Sequence, residues 1–433
     1  MPTATSTQPS AREILAGSGV VTHFQPIFSV KQKSIVGVEA LSRGINPETL
    51  ELIPPLKLFE MAAAENLSDD LENLCRRTAI DSFASMHHPD DGLILFLNFD
   101  ASALEAGPAG EEKLLFLNYD PTLGDDGAAT AEGLLAQVRR LGLEPSRVAV
   151  EVLESRFEDA QLLKKSLDRL RERGFLLVLD DVGAGHSNLD RIPLIRPDIL
   201  KIDRSLVRQI DVDYYKQETF KSLAHLARKL GALVVAEGVE TEAEALAVLE
   251  LGADLLQGFH LARPQSAQSL VGSLDVSAVQ HLASRYKSHM VQKINARKLQ
   301  HRRYAIVLNE ILCELATTSV PYFDEVLDKV GQRYPLVEAL YVLDEAGTQV
   351  TDTICPARGT RPKGRLMFRP AAKGADHSLK EFYYVLLDVE LQKYTTDPYV
   401  SLASGNVCRT ISTCFRDANN TKLYILCIDV VAG

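Results

Sequence analysis

The sequence predicts an α/β chain: a (β/α)8 barrel that opens with an antiparallel hairpin, followed by a linker helix and a smaller α+β unit. Three observations lead there. Short apolar strand texts alternate with amphipathic helical stretches from residue 21 to about 265, the pattern of parallel strands joined by crossover helices. Eight such strands fall within about 240 residues, which suits a closed barrel better than an open sheet. The 433 residues also exceed one domain, on the usual scale of about 100–200 residues each.

The elements follow in order. Residues 1–20, polar and proline-containing at their start, read as a flexible tail, and 21–275 as the barrel. VTHFQPIFSV and SIVGVEAL are close enough to pair as a hairpin across Lys31, Gln32 and Lys33. Helical text covers 56–66 and 69–87, and the strand GLILFLNF leads into a loop and the helix AEGLLAQVRRLGL. VAVEVLE, a helix over 157–173, FLLVLDD, a loop to Pro197 and DILKID come next. A helix over 214–230, ALVVAEGV, a helix over 241–251 and DLLQGF complete the series. Within it, LFLNFDASALEAG (95–107) is echoed by LFLNYDPTLGDDG (115–127), an insertion or local duplication. That leaves two candidates for one strand-end amide, Asn98 and Asn118. Asn98 is preferred because GLILFLN is the better strand.

Residues 276–303 read as a basic linker helix, with seven Lys or Arg and no acid between Arg285 and Arg303. Such a helix can touch anionic lipid or nucleic acid; a solvated connector that pairs with its copy in a homodimer fits the text better. Residues 304–433 read as an independent α+β module, with LVEALYVLDEAGTQVTDT as a strand, a Glu345-Ala346-Gly347 turn and a second strand, and with the text from EFYYVLL to CFRD and then KLYILCIDVV as its last strands.

Composition narrows the function. A net charge of −11 argues against a nucleic-acid polymer as partner. A nucleotide substrate remains compatible, because bound metal ions supply local positive charge. No apolar run reaches the ~18–20 residues of a transmembrane helix, and the N-terminus lacks the basic start and apolar stretch of a signal peptide, so a cytoplasmic location is expected. Six cysteines, five of them in the last third and none in a Cys-x-x-Cys pair, fit reduced thiols and give zinc no support.

Seven acidic or amide residues stand at predicted strand ends: Glu39, Asn98, Glu151 with Glu154, Asp180, Asp181 and Glu237. Repeated on five strands, they describe a ring of hard oxygen ligands at one mouth of the barrel, suited to Mg²⁺ or Mn²⁺. A solvated acidic rim is the plainer reading, and five separate strand ends argue against it.

Glu39-Ala40-Leu41 with Arg43, the Asp180-Asp181 pair, Lys201-Ile202-Asp203, Ala236-Glu237-Gly238-Val239-Glu240-Thr241 and Gln257-Gly258-Phe259 occur in order over residues 20–265. This series resembles the EAL domains, the cyclic-di-GMP phosphodiesterases of bacteria. The resemblance implies a TIM-like barrel with a departure at its first hairpin. It implies two Mg²⁺ or Mn²⁺ ions, one held by Glu39, Asn98, Glu151 and Asp180, the other by Asp180, Asp181 and Glu237. Phosphodiester hydrolysis suits such a pair, which activates water and stabilises charge on the phosphoryl oxygens. The implied catalytic set is Glu39, Asp180, Asp181, Lys201 and Glu237, with Lys201 facing the nucleophilic water. Gln25, Leu41, Arg43, Asp203, Gln257 and Phe259 match substrate or supporting contacts, and Glu154 matches the glutamate that steadies the glycine loop. That loop departs from the family's Asp-Asp-Phe-Gly-Thr-Gly-Tyr-Ser at Val182, Ala184 and His186, which bears on rate and regulation; His186 reads as a replacement for a loop aromatic.

Hydrolysis of cyclic-di-GMP to linear 5′-pGpG is therefore expected, and a catalytically silent receptor for the same dinucleotide is the alternative. No cyclase motif of the GGDEF type occurs. Residues 304–433 resemble a PAS-like or Cache-like sensor, in which Tyr383, Tyr384 and Tyr399 either line a small-molecule pocket or belong to the core.

Overall fold

The computed structural model describes residues 9–86, 92–99, 131–152, 160–184, 188–272, 276–356, 370–401 and 405–431. Asn118, Glu154 and His186 lie outside the described residues.

The first sheet contains β1 (Val20–Ser29), β2 (Ser34–Ile45), β3 (Leu52–Ile53), β4 (Ile94–Phe99), β5 (Val148–Val152), β6 (Leu176–Val182), β7 (Ile199–Ile202), β8 (Leu233–Ala236), β9 (Leu255–Leu256) and β10 (Gln265–Ser266). Strands β2, β4, β5, β6, β7, β8 and β9 run parallel in that order. β1 closes the ring, antiparallel to both β9 and β2. The result is the closed eight-stranded barrel with the expected antiparallel opening. The short β3 and β10 extend β2 and β1.

Two apolar layers hold the barrel. Outward residues such as Leu95, Val150, Leu179, Leu200 and Val234 pack under the helices. Inward residues Ile27, Phe96, Ala149, Val178, Ile199, Val235 and Leu255 form a plug in the lumen. Gly37 makes room for that plug: a Cβ there would lie 2.7 Å from the Phe96 ring and 2.5 Å from the Ile94 carbonyl oxygen.

The flexible-tail expectation for residues 1–20 gives way to structure from Ser10 onward. Ala11–Ala16 is a helix closed by a capping box, with the Ser10 hydroxyl accepting from the Glu13 N–H and the Glu13 carboxylate accepting from the Ser10 N–H. The Glu65 carboxylate accepts from the Ala11 and Arg12 N–H groups at 2.7 and 3.2 Å. Ala11 and Ile14 bury against Leu58, Ala62 and Leu71. The Ser-x-x-Glu spacing before an apolar residue is the local signal for this start.

The basic helix is longer than its predicted 276–303 span and runs Ser277–Ala316 without a glycine or proline to stop it. Val279, Leu282 and Tyr286 pack on the barrel core, while Tyr304, Val307, Leu308, Ile311 and Leu315 belong to a second core. The chain divides into compact units at Val291/Gln292, twelve residues before the expected boundary at 303/304.

The second unit carries an antiparallel sheet of β11 (Val337–Leu343), β12 (Lys393–Thr395), β13 (Tyr399–Val400), β14 (Val407–Arg416) and β15 (Leu423–Val431), ordered β11-β15-β14-β12 with β13 also on β14. One face packs on the helix residues 304–315 and on Phe323–Gly331. The text EFYYVLL, grouped with the strands in the sequence reading, forms the helix Glu381–Leu387 and covers Tyr341, Leu343 and Ile425 on the other face. The strand expected after the Glu345-Ala346-Gly347 turn is reduced to isolated bridges at Gln349 and Ile354. The Tyr383 hydroxyl donates to the Glu345 carbonyl at 2.7 Å, Tyr399 pairs with Thr410 at 2.8 Å, and Tyr384 is 41% exposed. All six cysteines are free thiols. Among the described residues no helix is long and apolar enough to cross a membrane.

Candidate active site

Side chains repeat every second residue along a strand, so each plug residue points to the site. Two residues beyond Phe96, Ala149, Val178, Ile199, Val235 and Leu255 stand Asn98, Glu151, Asp180, Lys201, Glu237 and Gln257. On β2 the step from Gly37 reaches Glu39, and on the reversed β1 the step back from Ile27 reaches Gln25, whose backbone pairs directly with Glu39. The polar layer is thus the next turn of the pleat above an apolar floor.

Lys201 is the centre of that layer. Its Nζ lies 2.6 Å from Glu237 Oε1, 2.7 Å from Glu151 Oε1, 3.4 Å from Asp180 Oδ1 and 3.6 Å from Glu39 Oε2. Asn98 Nδ2 donates to Glu39 Oε1 at 3.4 Å. Gln257 Nε2 makes a short hydrogen bond to Glu39 Oε2 and donates to Gln25 Oε1 at 3.3 Å. Gln25 in turn donates to the Ala262 carbonyl at 3.2 Å. At the end of β6 the backbone bends: Asp181 has φ +53° and its N–H returns to Asp180 Oδ1 at 2.9 Å. This bend brings ligand oxygens of Asp180, Asp181 and Glu237 within 4.8 Å of one another.

Burial sets the electrostatics. Glu151 is wholly buried, and desolvation raises its pKa well above the usual carboxylate value; Glu39 and Asp180 push the same way, while Lys201 opposes. Burial first, with Asp180 and Glu39 adding, raises Glu237 to about 8 despite Lys201. Burial and the charges of Asp180 and Asp203 raise Asp181 to about 6. For Lys201, burial favours the neutral amine, but Asp180, Glu151, Glu237 and Glu39 together outweigh it and hold the ammonium well above its ordinary pKa.

This set fits divalent ions. Glu151 Oε2 is buried with no hydrogen-bond donor, and Oε1 is met only by the Lys201 ammonium. Five carboxylates share one ammonium in this layer, an excess of hard oxygen that cations such as Mg²⁺ or Mn²⁺ would neutralise.

A cleft of about 260 Å³ opens over the layer, lined in part by Gln25, Glu39, Asp180, Asp181, Glu237, Gln257 and Phe259. Phe259 is 48% exposed, with the Arg263 guanidinium 4.5 Å from its ring centre. Leu41 and Arg43 share the β2 face of Glu39 by strand period, but they do not line the cleft. The Arg43 guanidinium donates to the Ser42 carbonyl at 2.8 Å. Asp203 caps the short helix Arg204–Val207, accepting from the Ser205 N–H at 2.8 Å. A larger hollow of about 390 Å³ beside Val30, Leu249 and Tyr286 is rimmed by Lys31, Lys33 and Lys287, with no carboxylate among the described residues that line it.

Arg204, Gly238 and Glu240 also line the cleft; the sequence motif contained Gly238 and Glu240 without giving them a role, and Arg204 was not singled out. Their signal was position: Arg204 follows the Lys-Ile-Asp segment, and Glu240 lies three residues beyond Glu237.

Residues 9–264 match the EAL domain. The chain is 25% identical over 398 residues to the uncharacterized EAL-domain containing protein YkuI of Bacillus subtilis, spanning 91% of each. It is 29% identical over 270 residues to the cyclic di-GMP phosphodiesterase RocR of Pseudomonas aeruginosa, covering 60% of this chain and 62% of that one. The crystal structure of YkuI with c-di-GMP and calcium superposes with a TM-score of 0.73 at 23% identity, over 98% of this chain and 100% of that one. The PaMucR phosphodiesterase in its c-di-GMP complex gives 0.50 at 27% identity, over 60% of this chain and 97% of that one.

Proposed function

The chain belongs to the EAL domain family, and from that premise we propose that it hydrolyses cyclic-di-GMP to linear 5′-pGpG with Mg²⁺ or Mn²⁺. The observation that carries the proposal is the strand-end layer itself: Glu39, Glu151, Asp180 and Glu237 converge on one buried lysine, with Asp181 beside them. Phosphodiesterases among the relatives, RocR for one, support it.

In this reading Glu39, Asn98, Glu151, Asp180, Asp181 and Glu237 hold the metal. When bound, the ions lower the pKa of water and stabilise charge on the phosphoryl oxygens. The chain does the rest. Water adds to phosphorus and the P–O3′ bond breaks, leaving a 5′-phosphate and a protonated 3′-oxygen. Lys201, kept charged by its four carboxylates, orients that water by donating from Nζ. Gln257 fixes Glu39 and Gln25 in the same layer. Phe259 offers an exposed ring for a base to stack on.

The second unit acts, on this proposal, as a PAS-like or Cache-like sensor of a small molecule and as a homodimer contact. An effector couples to the barrel to the extent that it binds two arrangements of the chain with different affinity, typically ~1–3 kcal/mol.

The test is incubation with cyclic-di-GMP and Mg²⁺ or Mn²⁺, followed by chromatography. Formation of 5′-pGpG supports the proposal. Tight binding without product, indifferent to metal, would make the chain a receptor instead.

A further inference from the structure

Arg204 begins the helix that follows β7, and its side chain reaches across to the end of β8. Its guanidinium meets Glu240 Oε1 at 2.7 Å. Its aliphatic stem lies on the backbone of Gly238: a Cβ at Gly238 would stand 2.5 Å from Arg204 Cγ and 2.6 Å from Cβ. Gly238 has φ +62°, a conformation natural to glycine, so the residue after Glu237 provides a seat for this arginine.

The surroundings hold that seat in place. Asp203 caps the helix, and Lys216 Nζ donates to the Ser205 and Arg208 carbonyls at 2.7 and 2.8 Å. Across the cleft mouth, the buried Glu244 carboxylate accepts from the N–H groups of Glu240 and Thr241 at 2.9 and 3.1 Å. Both partners of the Arg204–Glu240 pair therefore rise from fixed backbone, while their side chains remain 50% and 39% exposed.

Charge indicates what the guanidinium is for. Among the described residues lining the cleft, Arg204 is the one cation beside Glu39, Asp180, Asp181, Glu237 and Glu240. A cyclic dinucleotide carries two phosphodiester anions, and the metal ligands accommodate the one that reacts. An acidic mouth would repel the other. An exposed ion pair such as Arg204–Glu240 contributes little to stability, whereas a guanidinium fork binds phosphate bidentately.

Resting on the phosphodiesterase reading above, we propose that Arg204 is a specificity-determining residue that leaves Glu240 to take the non-reacting phosphate of the cyclic dinucleotide. Glu240 parks the guanidinium when the cleft is empty and competes with the ligand for it.

The test compares cyclic-di-GMP with bis(p-nitrophenyl) phosphate, a substrate with a single phosphodiester, in the full chain. Arg204→Ala is expected to raise KM for the cyclic dinucleotide about 10- to 100-fold, the worth of one charge-assisted contact, with kcat changed far less. The loss should be at least tenfold larger than for bis(p-nitrophenyl) phosphate. Equilibrium binding of cyclic-di-GMP should weaken by a similar factor. Arg204→Lys keeps the stem and should fall between the two. Glu240→Gln removes the competing carboxylate and should leave KM unchanged or lower it. Equal losses on both substrates, no loss, or a Glu240→Gln defect as large as that of Arg204→Ala would overturn the assignment. If the unaltered chain neither binds nor cleaves cyclic-di-GMP, the functional reading itself fails, an outcome distinct from these.

Discussion

The Lys201 ammonium stands 2.7 Å from Glu151 Oε1 at a point where neither side chain reaches solvent, and the second Glu151 oxygen has no donor. One cation shared among several buried carboxylates leaves anionic charge without compensation. Burying such charge is costly unless it is paired or binds a metal. The polar layer therefore carries a charge strain that a divalent cation, on the proposed function, would relieve.

Replacing Glu151 with Gln tests that strain. Lys201 retains Glu237, Asp180 and Glu39 as partners, so the metal-free variant should melt no lower than the unaltered chain. The rise in melting temperature on adding Mn²⁺ should shrink or vanish with it. A large loss of metal-free stability in differential scanning fluorimetry would show that the Lys201–Glu151 pair holds the fold instead.

Lys201→Ala has the opposite sign. It leaves four carboxylates facing one another without a counter-charge, so the metal-free variant should be destabilised and Mn²⁺ should restore much of the loss. Turnover should drop on the order of the 10²–10⁴-fold associated with a proton-handling or water-orienting group. Full turnover in Lys201→Ala would remove it from the chemistry.

The pH dependence follows from Asp181 and Glu237, raised to about 6 and about 8 chiefly by burial. Both keep protons in the folded, metal-free state at pH values where the unfolded chain has already lost them. Metal-free stability should therefore fall as pH rises from the ordinary carboxylate range through 6 and towards 8, then level off. Metal uptake must displace those protons, so Mn²⁺ affinity should increase from pH 6 to pH 8.5. Calorimetry in buffers of different ionisation heat would show the protons released; an affinity flat over that range would contradict the shifts.

The helix Ser277–Ala316 sets where the chain can be cut. Val279, Leu282 and Tyr286 cover the barrel core, so a chain ending at 275 should expose apolar surface and be less stable than one ending at 291. Thermal melts and solubility of the two truncations compare them directly. Equal stability would mean that this first stretch of helix contributes nothing to the barrel.

Much of the site was legible because strand period and chemistry coincide. An apolar residue followed two places later by an acid, amide or lysine recurs in Ala149/Glu151, Val178/Asp180, Ile199/Lys201 and Val235/Glu237. What stayed hidden depends on chain segments meeting in space. Nothing local to Arg204 announces that its stem rests on Gly238, and nothing near Gln25 announces Gln257, 232 positions away. The helix Glu381–Leu387 was misread because FYYVLL has strand-like residues, and its packing over Tyr341 and Leu343 overrides that propensity. The N-terminal helix was legible in its Ser10/Glu13 capping box and was passed over because the preceding residues are polar.

The most direct measurement is the reaction in water enriched in oxygen-18, with cyclic-di-GMP, Mn²⁺ and the full chain, read by mass spectrometry beside a Glu39→Ala control. The account predicts 5′-pGpG carrying one heavy oxygen on its new 5′-phosphate, and none formed by Glu39→Ala. Absence of product from folded, metal-loaded chain, or equal product from the Glu39→Ala variant, would contradict it.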